Sequence, residues 1–163
     1  MAHIVERLLG HYGMFGGGQV TTLADATALP GALADVRPTI FIGVPRVWEK
    51  LKVGIDALVA CEPDSARRLA AQKAFGVGLQ YVDAAQAGQV PARLAEAYRR
   101  ADEQVMSQIR LLLGLDQVRI AVSGAAPIAP EILTFTLALG IPCRSVSPVP
   151  LPGRAELCCR YTF

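Results

Sequence analysis

The sequence predicts an α/β fold in which a mostly parallel sheet is flanked by helices. Two apolar runs of strand length, VRPTIFIGVP at 36–45 and VRIAVS at 118–123, are rich in β-branched residues. Stretches with the spacing of amphipathic helices lie between these runs and after the second one. Strands that alternate with helices favour parallel pairing, because each return crossing is long enough to hold a helix.

Composition narrows the classes of protein. The chain has 163 residues, 52% of them hydrophobic and 18% charged, and a net charge of +2. This length suits one domain with a real core. The scattered basic residues predict no nucleic-acid partner, and no apolar run is long enough for a membrane span. The four cysteines fit no zinc spacing, and no secretion signal is present, so we expect a cytoplasmic location.

The first long helix is predicted for VWEKLKVGIDALVA, immediately after Pro45, a residue type favoured at helix starts. Its apolar positions recur at helical spacing: Trp48, Leu51, Ile55, Leu58 and Val59. A second helix is predicted over 64–82, where Gly76 and Gly78 lower the helix propensity.

Residues 92–113 have the strongest helical pattern in the chain. The following residues share one face: Leu94, Tyr98, Ala101, Val105, Ile109 and Leu112. Gly114 is well suited to end this helix. A strand at 118–123 and a helix at about 129–139 are predicted to follow.

Residues 143–163 have a different character. Four prolines lie between 142 and 152, and three of the four cysteines fall after 142. Prolines at alternate positions remove the donors that a central strand needs. We therefore divide the chain into a folded part, 1–142, and an irregular or disordered tail, 143–163.

The short motif SGAAP directly follows the predicted strand at 118–123. Gly124, Ala125, Ala126 and Pro127 have almost no side chain to keep a ligand away from the backbone. Ligands of parallel sheets bind at the carboxyl ends of strands, and the next helix N-terminus favours an anion. A tight strand-to-helix turn without any ligand explains the same residues equally well.

Other candidate motifs have simpler explanations. A tryptophan in a helix such as PRVWEKL is more often a core anchor than a functional residue, and we interpret Trp48 in this way. The glycines at 16–18 lack the Lys-Ser or Lys-Thr of a phosphate loop, and His3 and His11 have no partners at metal-ligand spacing. Ser123 lacks the flanking glycines of a hydrolase elbow. We assign no catalytic residue and no metal ligand.

Taken together, HIVER, VRPTIFIGVPRVWEKL and LGLDQVRIAVSGAAPIAPEILTF resemble the middle of a long-chain fatty acyl-CoA synthetase, from residue 1 to about 142. These enzymes form acyl-adenylates from ATP and a long-chain fatty acid, with Mg²⁺, and then transfer the acyl group to coenzyme A. The resemblance implies an incomplete adenylate-forming N-terminal domain. It also implies that 124–127 line the adenine pocket and that His3 borders the acyl pocket.

Departures from the family pattern qualify what the resemblance implies. The family's phosphate loop lies upstream of HIVER, and its Glu-containing ATP and magnesium motif is replaced here by PCRSVSPVP. We interpret the tail as a frameshift product, and we expect a ligase segment that is inactive alone, with marginal stability or dependence on a complementary synthetase polypeptide. The alternatives are a non-catalytic nucleotide- or acyl-binding module that assembles with another synthetase fragment, and an inert gene relic. We expect at most peripheral contact of the chain with a membrane.

Overall fold

The computed structural model describes residues 11, 17–23, 26–124 and 126–145. His3, Ala125 and the tail beyond Ser145 lie outside this part of the chain. After a 3-10 turn at Ala26–Ala28, the described elements are α1 Leu29–Val36, β1 Ile40–Gly43, α2 Pro45–Ala60, α3 Ser65–Gln86, α4 Ala92–Ala101, a π-helical segment Asp102–Met106, α5 Ser107–Leu112, β2 Ile120–Ser123, α6 Pro130–Ala138 and β3 Cys143–Ser145.

The described sheet has three strands in the order β1-β2-β3, and both pairs are parallel. The α/β prediction is therefore confirmed. Ile40 pairs with Ile120 and Gly43 with Ser123, so the carboxyl ends of β1 and β2 lie at one level. The predicted strands at 36–45 and 118–123 are longer than the observed ones, because α1 extends to Val36 and a turn precedes Ile120.

The predicted tail boundary at 143 needs a correction. Cys143–Ser145 form β3, which pairs with the central strand through Ala121 and Cys143. The Cys143 side chain is buried in the core, which fixes this short segment against the sheet. Three residues with one buried position give no detectable periodicity, so the sequence pattern missed this strand.

The core lies between one face of the sheet and the helices. The largest fully buried side chains are those of Trp48, Ile55, Met106, Leu115 and Leu139. The Trp48 ring meets Phe41 of β1 edge-on, with centroids 5.1 Å apart. The interpretation of Trp48 as a core anchor is confirmed, whereas Leu58 on the same predicted face is 43% exposed.

The predicted helix at 92–113 is interrupted by the π-helical segment. A π-turn adds about one residue to a helical turn and rotates everything after it. The buried face therefore continues through Met106 and Ile109 to Leu113, while Leu112 is 66% exposed. The prediction that Leu112 faces the core was wrong for this reason.

Helix α3 continues through both glycines. The Asp64 carboxylate accepts hydrogen bonds from the backbone N–H groups of Ala66 (2.8 Å) and Arg67 (3.4 Å), which caps the helix start. Gly78 is buried, and a Cβ there would lie 2.8 Å from the carbonyl oxygen of Ala138. This glycine allows α3 and α6 to approach closely.

Candidate functional site

The candidate site lies where β2 ends, in the centre of the described sheet. The segment after Ser123 begins with Gly124 and continues to Pro127. Its described residues are here called the small-residue shelf: Gly124, Ala126 and Pro127. The Gly124 backbone N–H donates to the carbonyl oxygen of Gly43 over 3.2 Å, which holds the start of the shelf beside β1. Ala125, the fourth predicted residue, lies outside the described part of the chain.

The shelf is open to an approaching molecule. Ala126 and Pro127 are exposed and Gly124 is half-buried. A Cβ built on Gly124 would meet no atom within 4 Å, so no packing constraint explains the glycine. Ile128, immediately after the shelf, is buried and anchors the segment to the core. A flat ring could therefore rest on this backbone without displacing protein atoms.

Two buried polar groups lie close to Gly43 and Gly124, where the shelf begins. Among the described residues, the Ser123 hydroxyl and the Trp48 Nε1–H have no hydrogen-bond partner, and both residues are 0% exposed. Gly43, the last residue of β1, has no side chain and so lets the indole pack close to the strand, since a Cβ there would lie 3.4 Å from Trp48 Nε1. Unsatisfied buried polar groups cost free energy. Sequence patterns drew attention to both residues but did not predict that their polar groups lack partners.

The helix that follows the shelf offers little to an anion. Helix α6 begins at Pro130, which has no N–H group, and Glu131 puts a carboxylate in the first turn. No side chain caps its start. A carboxylate near a helix N-terminus competes with a bound anion for the same partial positive charge. The shelf therefore suits a neutral ring better than a phosphate.

Cys143 lies on β3, beside the central strand, where it pairs with Ala121. Burial raises the pKa of its thiol to about 11, although hydrogen bonds with the Thr136 side chain and the Ser123 backbone partly oppose the shift. A thiol with this pKa carries almost no thiolate near neutrality. The structure therefore gives Cys143 a packing role.

A separate groove of about 720 Å³ lies between α2, α3 and α6. Its apolar lining includes Val59, Phe75, Leu79 and Phe135. The rings of Phe75 and Phe135 are stacked 5.2 Å apart, and Lys52 Nζ lies 4.9 Å from the Phe135 ring centre. Asp56 forms an ion pair with Lys52. None of the shelf residues lines this groove.

The described residues include no group of three His, Cys, Asp or Glu side chains that could hold a metal ion. Within the same residues, no helix is both long and apolar enough to cross a membrane. His3, the predicted acyl-pocket residue, lies outside the described part of the chain.

Comparison with curated proteins gives clear relatives. The chain is 44% identical over 164 residues to a protein named putative fatty-acid–CoA ligase fadD11 of Mycobacterium tuberculosis. It is 36% identical over 146 residues to the long-chain-fatty-acid–CoA ligase ACSBG2 of Xenopus laevis. It is 30% identical over 151 residues to the ACSBG2 ligase of Homo sapiens.

The coverage of these matches is uneven. The fadD11 match includes 99% of this chain but 28% of the relative. The two ACSBG2 matches include 87% of this chain and 19% and 22% of the relatives. The chain thus spans less than a third of the length of these relatives. No protein-family model matches the chain, and no solved structure matches it.

Proposed function

Because this chain is homologous to fatty-acid–CoA ligases over nearly its whole length, we propose that it carries the adenine-contacting segment of a long-chain fatty acid–CoA ligase. The observation that carries the proposal is the open small-residue shelf at the carboxyl end of the central strand. This is where parallel sheets bind nucleotides as a rule. Gly124, Ala125, Ala126 and Pro127 are the residues proposed to face the adenine.

In the proposed reaction, ATP and a long-chain fatty acid give an acyl-adenylate and pyrophosphate, and coenzyme A then accepts the acyl group. Mg²⁺ would neutralise phosphate charge in the first step. The role of this chain is to orient adenine, with no charged group of the shelf acting on phosphate. Orientation alone supplies no stabilisation of the charge that develops in phosphoryl chemistry. We therefore propose that the chain is not catalytic by itself.

The remaining proposals follow from the same resemblance. His3 would border the acyl pocket, and a complementary synthetase polypeptide would supply the phosphate and magnesium groups. We also propose a cytoplasmic location. Membrane contact would be at most peripheral, and it would give access to free fatty acids, which partition into membrane surfaces.

An NMR titration of the ¹⁵N-labelled chain with AMP tests the adenine proposal. We expect saturable shifts of the amide signals of Gly124 and Ala126. Gly124→Leu fills the space above the shelf and should abolish these shifts. Gly54→Leu is the matched control, because Gly54 also has no atom within 4 Å of an added Cβ but lies on α2. Equal binding by both variants would contradict the proposal.

The groove between α2, α3 and α6 favours a second candidate function, an acyl-binding module without catalysis. Its lining is largely apolar, and Lys52 lies at the same site. Saturable binding of a fatty acid in the absence of ATP would support this candidate. Loss of that binding in Phe75→Ala, with AMP binding retained, would assign the fatty acid to the groove.

The frameshift interpretation of 143–163 is a separate proposal. Its support is the abrupt change to a Pro- and Cys-rich composition. The fadD11 match covers 99% of this chain and so reaches into 143–163. The frameshift interpretation has to explain this similarity. Resequencing codons 140–146 tests it. The absence of family-like coding sequence in any other downstream frame would contradict it.

A further inference from the structure

The groove between α2, α3 and α6 has free space above α3. Its volume of about 720 Å³ lies within the roughly 300–1,000 Å³ of pockets that bind small ligands. Gly76 lines the groove, and a Cβ added there would meet no atom within 4 Å. The side chains of Val59, Phe75 and Leu79 supply apolar walls. A hydrocarbon chain therefore fits the groove without displacing protein atoms.

An aromatic ring of the groove already binds a cation. Lys52 Nζ lies over the Phe135 ring, 4.9 Å from its centre. The Phe75 ring stacks on Phe135, with the ring planes 10° apart. The face of an aromatic ring attracts cations through its quadrupole. Phe135 is 7% exposed and Phe75 is only partly buried, so Phe75 is the ring that an incoming cation reaches.

The charged side chains that line the groove are those of Lys52, Asp56 and Glu131. One positive and two negative groups give the lining a net charge of −1. Lys52 and Asp56 form an ion pair, so neither charge is free for a ligand. Of the ion pairs between described residues, none includes Glu131. The free charge at the groove is therefore a carboxylate.

This balance of charges decides which head group the groove accepts. A ligand carboxylate would have to displace Asp56 from Lys52, and Glu131 would repel it. A quaternary ammonium group is attracted both by Glu131 and by the ring face of Phe75. We infer that the groove binds a single-chain amphiphile with a quaternary ammonium head, its hydrocarbon chain against the apolar walls and its head beside Glu131. The inference rests on the groove of the second candidate function and adds the charge of the head group.

Two amphiphiles with equal chains and opposite charges test the inference. Octyltrimethylammonium and octanoate are titrated into the ¹⁵N-labelled chain, below the concentrations at which they form micelles. The amide signals of Gly76 and Thr134, which line the groove, report binding. We expect saturable shifts with octyltrimethylammonium, and a Kd at least about tenfold lower than that of octanoate.

Substitutions of the carboxylates test the role of charge. Glu131→Gln should raise the Kd of octyltrimethylammonium about threefold, because it removes the free carboxylate. Glu103→Gln is the matched control, since it removes the same charge from the exposed π-helical segment, outside the groove, and should leave this Kd unchanged. Asp56→Asn releases Lys52 from its ion pair and should lower the Kd of octanoate.

Substitutions of two glycines test the place of binding. Gly76→Leu fills the space above α3 and should abolish the shift of the Thr134 amide signal. Gly54→Leu is the matched control: Gly54 also has no atom within 4 Å of an added Cβ, but it does not line the groove. This variant should bind octyltrimethylammonium as the natural chain does.

The possible failures are distinguishable. Octanoate binding that equals or exceeds octyltrimethylammonium binding overturns the inferred head group and leaves the acyl-binding candidate standing. The absence of saturable shifts with either amphiphile overturns both. Shifts that persist in Gly76→Leu place the binding outside the groove and also overturn the inference. None of these results bears on the adenine proposal, which the AMP titration tests.

Discussion

Gly78 shows how one missing side chain sets the distance between two helices. A Cβ there would lie 2.8 Å from the carbonyl oxygen of Ala138 and 2.9 Å from Met106 Cε. Both neighbours belong to the interior of the fold, so neither can move without disturbing the packing. On the sequence alone this glycine only weakened a helix prediction, because close approach is a tertiary property.

We predict that Gly78→Ala lowers the free energy of unfolding by about 1–3 kcal/mol, through overpacking. Gly76→Ala is the control on the same helix, because a Cβ there would meet no atom within 4 Å. It should raise the free energy by about 0.5–1 kcal/mol, since alanine is the better helix former. Urea unfolding measures both. Stabilisation by both alanines would contradict the close helix contact.

Asp116 makes a pH-sensitive contact between two chain connections. It accepts a hydrogen bond from Arg37 Nε over 3.0 Å. Hydrogen bonding with Arg37 is the main cause that lowers the pKa of the Asp116 carboxyl from 3.8 to about 2, and Gln117 adds to the effect. Because the pKa is lower in the folded state, the contact stabilises the fold above about pH 4 and is lost as the pH falls towards 2.

We therefore expect Asp116→Asn to reduce the loss of stability between pH 5 and pH 2.5. Unfolding midpoints in urea, measured for both proteins at several pH values, test this. Asp83→Asn provides a control, because Asp83 is an exposed carboxylate on α3. An Asp116→Asn variant with the same acid sensitivity as the natural chain would be evidence against the contact.

At the level of elements, the π-helical segment is held by a specific ion pair. Arg110 Nη2 donates to Asp102 Oδ2 over 3.1 Å, and Arg110 Nη1 donates to the Leu139 carbonyl oxygen over 2.7 Å. Arg110 thus joins the two sides of the π-turn and satisfies a carbonyl group just beyond the end of α6. Its side chain is 15% exposed, so solvent screens these bonds only in part.

Arg110→Ala should lower the free energy of unfolding by about 1.5–3 kcal/mol, because charged hydrogen bonds at a part-buried site are lost. Arg99→Ala is the matched control. Arg99 also forms ion pairs, with Glu96 and Glu103, but its side chain is 63% exposed. Its loss should lower the free energy of unfolding much less than the loss of Arg110, because exposed ion pairs are screened by solvent. Thermal or urea unfolding measures both variants. An equal loss of stability in the two variants would contradict the proposed stabilising role of the Arg110 hydrogen bonds.

Element prediction succeeded where local signals were strong. The apolar runs gave β1 and β2, and Pro45 with a helical face gave α2. Helix α1 and strand β3 had no such signal and were missed. The shift from Leu112 to Leu113 depends on the π-turn, and no periodicity can detect it in advance. Those features are decided by contacts between distant parts of the chain.

At the scale of the whole molecule, the sequence predicted the class of the sheet but not the order of its described strands. That order requires knowing that Cys143–Ser145 pairs with β2. The candidate site was predicted in part. The small residues at 124–127 indicated an accessible backbone, while the lack of hydrogen-bond partners at the buried Ser123 and Trp48 groups became visible only in the fold.

The central claim is that this chain is one part of a fatty-acid–CoA ligase and does not perform the reaction alone. The most direct test is formation of acyl-adenylate by the purified chain, supplied with ATP, Mg²⁺ and a long-chain fatty acid, with and without coenzyme A. The account predicts no acyl-adenylate above the protein-free control. Fatty-acid-dependent turnover by the chain alone would contradict it, because a neutral shelf could not then be its main contribution.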